Sequence, residues 1–99
     1  MEIRVQSIHF DATEQLQAFI QKKISKLEKF CDEIKSVEVS LKVVKPETAD
    51  NKEVGIKVFV PNDELYASKV RDSFEEAVDE AVEALSKQLE KYKEKLRSK

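Results

Sequence analysis

The chain reads as an α+β fold in the order β-α-β-β-β-α, with both helices packed on one face of a mostly antiparallel four-stranded sheet. Three observations predict it. Apolar side chains alternate with polar ones across residues 37–43 and 54–60, they recur at helical spacing across residues 16–30 and 74–96, and the alternating runs are apolar on one face and mixed on the other. A sheet of that kind must cover its apolar face, and two amphipathic helices do so. At 99 residues the chain holds enough material for one core and too little for two, so residues 1–99 are read as a single domain.

Each element follows from local chemistry. Ile3 and Val5 alternate with Arg4 and Gln6 in a short first strand that ends near Phe10. Asp11 or Thr13 then caps a helix, Asp11 with Glu14 three residues on in a capping-box spacing, Thr13 as an equally good N-cap. Leu16, Phe19, Ile20, Ile24, Leu27 and Phe30 lay one apolar stripe along that helix, which is expected to run to about Phe30. Over residues 35–45 the period changes to two: Val37, Val39, Leu41 and Val43 share a face opposite Glu38, Ser40, Lys42 and Val44. The loop KPETADNK follows, and then Val54, Ile56, Val58 and Val60 alternate with Gly55, Lys57 and Phe59, which predicts a hairpin with a long tip. Pro61, Asn62 and Asp63 make a tight turn into a fourth short strand through ELYASK. After Asp72 a second helix begins, with Phe74, Ala77, Val78, Ala81, Val82, Leu85, Leu89, Tyr92 and Leu96 in a continuous stripe. That stripe spans about seven turns, more than a small sheet covers, so the last turns are expected to project into solvent.

Composition excludes several function classes. Charged residues make up 38% and apolar ones 40%, the latter in regular patterns, so the chain is expected to fold. Cys31 is the single cysteine, which rules out an intrachain disulfide or a cysteine-built zinc site; beside Phe30 it reads as a small buried hydrophobe. His9, the only histidine, lacks the acid, base and orienting partners that catalysis needs. Gly55 is the only glycine and sits inside a strand, so no glycine-rich phosphate loop exists. No acidic loop suits calcium and no cofactor is implied. No apolar run approaches the 18 or so residues of a membrane span, and the alternating N-terminus does not resemble a secretory signal. The expectation is a cytoplasmic protein that is not an enzyme and takes no small-molecule substrate.

The second helix sorts its charges end to end. Residues 72–83 carry six acids and no base, whereas residues 87–99 carry six bases and two acids, Glu90 and Glu94. A net charge of -2 gives no global reason to bind nucleic acid, so the argument rests on patches. Lys87, Lys91 and Lys95 stand in one row at i, i+4 and i+8, with Lys93 and Arg97 on the other flank of the stripe. Acids at a helix start and bases at its end complement the macrodipole, which accounts for the sorting. The row has a cost, because like charges at i, i+4 oppose helix formation by about 0.2–0.5 kcal/mol per pair. The residues alone leave both a solvated face and an anion-binding surface open. A second cluster on the first helix comprises Lys22, Lys23, Lys26 and Lys29, opposed only by Glu28. Lys23 falls on the wheel between Phe19 and Phe30 and is expected to run its alkyl stem along the apolar edge. With the helices side by side, the two clusters would merge into one phosphate-binding patch of salt-dependent affinity.

Three runs, TEQLQAFIQKKISKLEKF, ELYASKVRDSFEEAVDEAV and ALSKQLEKYKEKL, resemble the short form of the ribosome hibernation promoting factors, or ribosome-associated inhibitors. The likeness covers nearly the whole chain, and its most specific pieces are KLEKF at residues 26–30, Tyr66-Ala67-Ser68, the Asp72 and Phe74 pair, and the basic tail of residues 87–95. It implies a fold similar to double-stranded RNA-binding domains. It also implies binding to the small ribosomal subunit and its rRNA in the channel for mRNA and tRNA, competition with both, and silencing of translation under stress or in stationary phase. Matched by position, the rRNA-binding residues are Lys23, Lys26, Lys87, Lys91, Lys93, Lys95 and Arg97. The family often has a further base where this chain has Ala84 and small residues where it has Glu75 and Glu76, which narrows the expected cationic patch. The chain stops soon after the second helix, without the acidic tail of one short-form relative or the dimerisation domain of the long form, so self-driven pairing of ribosomes is not expected, although a separate partner could promote it. The alternatives are a double-stranded RNA binder or a protein-interaction module not tied to the ribosome.

Overall fold

The computed structural model describes residues 1–8, 11–44 and 50–97; His9, the loop residues 45–49 and the side chain of Arg97 lie outside the described residues. The elements are β1 (Glu2–Ile8), α1 (Glu14–Ser25), a 3-10 turn (Lys26–Lys29), β2 (Ser36–Val43), β3 (Lys52–Val60), β4 (Asp63–Arg71) and α2 (Phe74–Arg97). The sheet order is β1-β2-β3-β4, with β1 parallel to β2 and the other neighbours antiparallel. The parallel pair is what a helix between two strands produces, since the crossover returns the chain to the same end of the sheet. The predicted α+β order is the one observed.

Local sequence accounts for the boundaries. Thr13, rather than Asp11, caps α1: its Oγ1 accepts from the Leu16 N–H at 3.1 Å. The α-helix ends at Ser25 and tightens into a 3-10 turn through KLEK, so the expected run to Phe30 is two geometries in series. Ser73 caps α2 by accepting from the Glu76 N–H at 3.2 Å. In the β3–β4 turn, Pro61 holds the first corner and Asn62 takes φ 67°, a left-handed conformation that asparagine tolerates. Asp50, with φ 53°, donates its N–H to Asp72 Oδ1 at 2.8 Å and ties the end of the β2–β3 connection to the start of α2.

The core forms between the helices and one sheet face. Ile20, Ile24 and Leu27 join Val37, Leu41, Val54, Ile56 and Val58 and the α2 stripe of Ala77, Val78, Ala81, Leu85 and Leu89, all fully buried. Cys31 is buried there too. Helix α2 lies over β3 and β4 beside α1. Two polar contacts fix its position: Gln88 Nε2 donates to the Tyr66 carbonyl at 2.9 Å, and the Tyr92 hydroxyl donates to the Pro61 carbonyl at 3.0 Å. The first also satisfies a backbone acceptor on the outer strand, a group that a free sheet edge otherwise offers to other chains. Tyr92 is the last buried residue of the stripe, and Leu96, one turn on, is 48% exposed. The opposite sheet face carries no helix and presents Arg4, Glu38, Lys57 and Tyr66 in one cross-strand row.

Candidate nucleic-acid interface

Two acids of the first half of α2, Asp79 and Glu80, and Asp72 just before it are engaged by specific partners. Arg71 at the end of β4 grips Glu80 with two nitrogens, at 2.7 and 2.6 Å, and donates to the Val70 carbonyl at 2.8 Å. The paired carboxylate holds the Arg71 guanidinium above its already high ordinary pKa. Asp79 pairs with Lys23 of α1 at 2.8 Å, and Asp72 receives the Asp50 N–H. These carboxylates therefore join elements together, a role that dipole complementarity alone does not supply.

The basic half differs. Among the described residues, no carboxylate lies within ion-pair range of Lys26, Lys87, Lys91 or Lys93. Their charges are left for solvent or a partner. Lys87, Lys91 and Lys95 are all exposed. Lys91 and Lys95 border a groove with Asp63, Leu65 and Gln88, which places the row on the β4 flank of α2, with Lys87 one turn before Lys91. Lys93 is on the other flank, in a shallow groove with Lys29 and Phe30 of the first helical segment.

The helices do lie side by side, yet only part of the expected patch merges. Lys93 meets the α1 cluster through Lys29, while the row of Lys87, Lys91 and Lys95 is separated from it by the body of α2. Two cationic tracks result, about 10–12 Å apart across a helix with its side chains. Along the ridge between them Glu90 and Glu94 are exposed.

Lys23 has work within the fold. Its ammonium reaches Asp79 and stands 5.5 Å from the centre of the Phe19 ring, consistent with a stem running along the apolar edge. The Asp79 hydrogen bond raises its pKa, and the charge of Lys23 in turn depresses that of Lys26. Lys26 is thus a cation held close to another, an arrangement that an incoming phosphate relieves.

The profile of the sigma 54 modulation protein / S30EA ribosomal protein family matches residues 3–97. The chain belongs to this family. It is the hibernation-factor family that the three sequence runs resemble. No curated protein sequence matches the chain. Among solved structures, the Protein Y N-terminal domain of Thermus thermophilus superposes with a TM-score of 0.81 at 20% identity, over 93% of this chain and 99% of that one. A ribosomal subunit interface protein from Coxiella burnetii superposes with a TM-score of 0.85 at 26% identity, over 94% and 98%. The S30EA-type fold accordingly matches element for element the order read from the sequence.

Within this S30EA chain, sequence reasoning missed the partners of the acids and the shape of the open sheet face. Arg71 and Glu80 are nine residues apart across a strand–helix junction, beyond any periodicity rule. Gly55 did carry a signal, because a glycine inside a strand marks a bulge or a close approach. A Cβ there would stand 2.7 Å from the Tyr66 hydroxyl and 3.0 Å from Ser40 Oγ. Among the described residues there is no cluster of His, Cys, Asp and Glu able to hold a metal ion, and no helix long and apolar enough to cross a membrane.

Proposed function

We propose that this protein is a ribosome hibernation factor. It binds the small ribosomal subunit in the mRNA and tRNA channel, excludes both ligands and silences translation under stress or in stationary phase, acting in the cytoplasm. The single observation that carries the reading is the match to the S30EA family over residues 3–97. The lysine tracks supply a physical means.

Lys87, Lys91 and Lys95 on one flank of α2, and Lys26 and Lys93 on the other, contact rRNA phosphates; Lys23 and Arg97 join them by their match to the family's basic pattern. Phosphate contact needs cations that are exposed and not neutralised by the fold, and four of these lysines have no carboxylate partner among the described residues. A groove lined with rRNA has phosphates on both sides, which suits a helix with cations on both flanks. No catalytic step is required. The protein acts by occupying space.

Sedimentation tests the proposal. The protein should travel with small subunits in a sucrose gradient at low salt, leave them as salt rises, and lose its place to saturating tRNA and mRNA. Binding undiminished by tRNA would place it elsewhere on the ribosome. Cofractionation with free double-stranded RNA alone would favour an RNA-binding module unconnected to ribosomes.

A further inference from the structure

The open face of the sheet holds a groove of about 360 Å³ that the lysine tracks do not use. Its floor is the row Gln6, Ser40 and Gly55, paired in register across β1, β2 and β3 and short at its centre. Its wall is the adjoining row of Arg4, Glu38, Lys57 and Tyr66. The Tyr66 ring leans over Gly55, whose missing side chain leaves the room, and the tyrosine is still 55% exposed. Glycine weakens a strand interior, so its place under this ring gives the groove a structural cause.

The charges of the wall are unusual. Arg4, Glu38 and Lys57 alternate in sign at cross-strand spacing, where opposite charges ordinarily pair. Here they do not. Arg4 turns to Glu2 at 3.1 Å, Lys57 stands 5.9 Å from the centre of the Phe59 ring, and Glu38 has no ion-pair partner among the described residues. The groove therefore presents an exposed aromatic ring, an unengaged carboxylate and two cations within one small concavity.

We propose that this groove binds a single unstacked nucleotide of RNA, with guanine preferred. The volume lies in the range of small-ligand sites. Tyr66 supplies the stacking surface on which a splayed base rests. Glu38 is an acceptor-only group, and guanine is the base that offers two adjacent donors, N1–H and the N2 amino group, to one carboxylate. Arg4 and Lys57, on either side of Glu38, meet the flanking phosphates. Charge complementarity thus favours a nucleotide over an anionic peptide, which would face Glu38 without a donor to offer. The site lies on the sheet face away from the helices and does not depend on the ribosome reading.

Amide chemical shifts of the labelled protein, followed during titration with the pentanucleotides UUGUU and UUUUU, test the assignment. The expected result is saturable movement of the Ser40, Gly55 and Tyr66 amides with UUGUU and weaker movement with UUUUU. Tyr66→Ala should weaken UUGUU binding about 5- to 150-fold, the span of one base–aromatic stack, and Glu38→Gln should abolish the preference for guanine. Lys87→Gln with Lys91→Gln should leave these sheet shifts in place. Shifts confined to the helix lysines, equal response to both oligomers, or a Tyr66→Ala variant with intact circular dichroism and unchanged binding would each overturn the proposal.

Discussion

Replacing Lys87 and Lys91 together by glutamine separates a functional cation from a structural one. Neither lysine has a carboxylate partner among the described residues and both are exposed, so the substitution removes no internal ion pair and opens no cavity. It also removes a like-charge pair at i, i+4, which favours the helix by about 0.2–0.5 kcal/mol. Neither residue lies in the last turn of α2, where the macrodipole would reward a cation most. Stability should hold or rise slightly. Binding should fall, and in a salt-dependent way. Each phosphate neutralised contributes about 0.7–0.9 to the slope of log affinity against log salt, so two contacts contribute about 1.4–1.8. Over a fourfold rise from about 50 to about 200 mM, the advantage of the native protein over the variant should therefore shrink by about 7- to 12-fold. Filter binding or sedimentation with purified small subunits at several salt concentrations measures the slope, and urea unfolding measures the stability. An affinity ratio that stays constant with salt would refute phosphate contact at these positions. A large loss of stability would show that they serve the fold instead.

Other perturbations probe the rest of the molecule. Asp79→Asn releases Lys23 from its 2.8 Å partner; affinity for small subunits should rise at low salt while thermal stability falls, and a variant with weaker binding would place Lys23 outside the contact surface. Leu85 is fully buried beneath α2, so Leu85→Ala should cost about 2–5 kcal/mol in urea unfolding. Burial raises the pKa of the Tyr92 hydroxyl, with Glu33 adding to the effect. The folded state then holds that proton more tightly than the unfolded chain, so the contribution is complete below the unfolded value of 10.0 and is lost as pH climbs through the higher folded value. Tyr92→Phe should flatten the fall in stability above pH 10 relative to the native protein, and superimposable alkaline limbs would count against this assignment. Thr13→Ala removes the side-chain acceptor that caps α1 and should lower stability by about 1 kcal/mol.

The element order was legible because period-two and helical runs are local properties. Val37, Val39 and Leu41 announce a half-buried strand whatever lies above them, and the alternation of Val54, Ile56, Val58 and Val60 with Gly55, Lys57 and Phe59 sets which face of β3 meets the helices. The lysines of the candidate interface were equally visible as a row and a cluster. Their grouping was not. Whether Lys87 shares a surface with Lys26 depends on which flank of α2 faces α1, and that is set by how Asp79, Ala77, Val82 and Leu89 seat the helix against its neighbours.

What the amino-acid order determined by itself was the succession of strands and helices, the apolar face of each and the positions of the charges, since these follow from spacing along one chain. Only the folded arrangement decided which charges are neutralised. Arg71 meets Glu80 and Lys23 meets Asp79 because packed elements bring distant residues within ångströms, while Lys87 and Lys91 are left facing outward. The same holds for the open sheet face, where strand register stacks Gly55 beneath Tyr66 and builds a groove from residues that stand far apart in the linear chain. Packing energies fall off over a few ångströms and the attraction of exposed charges is screened over about 10 Å, so partnership is a property of distance in space.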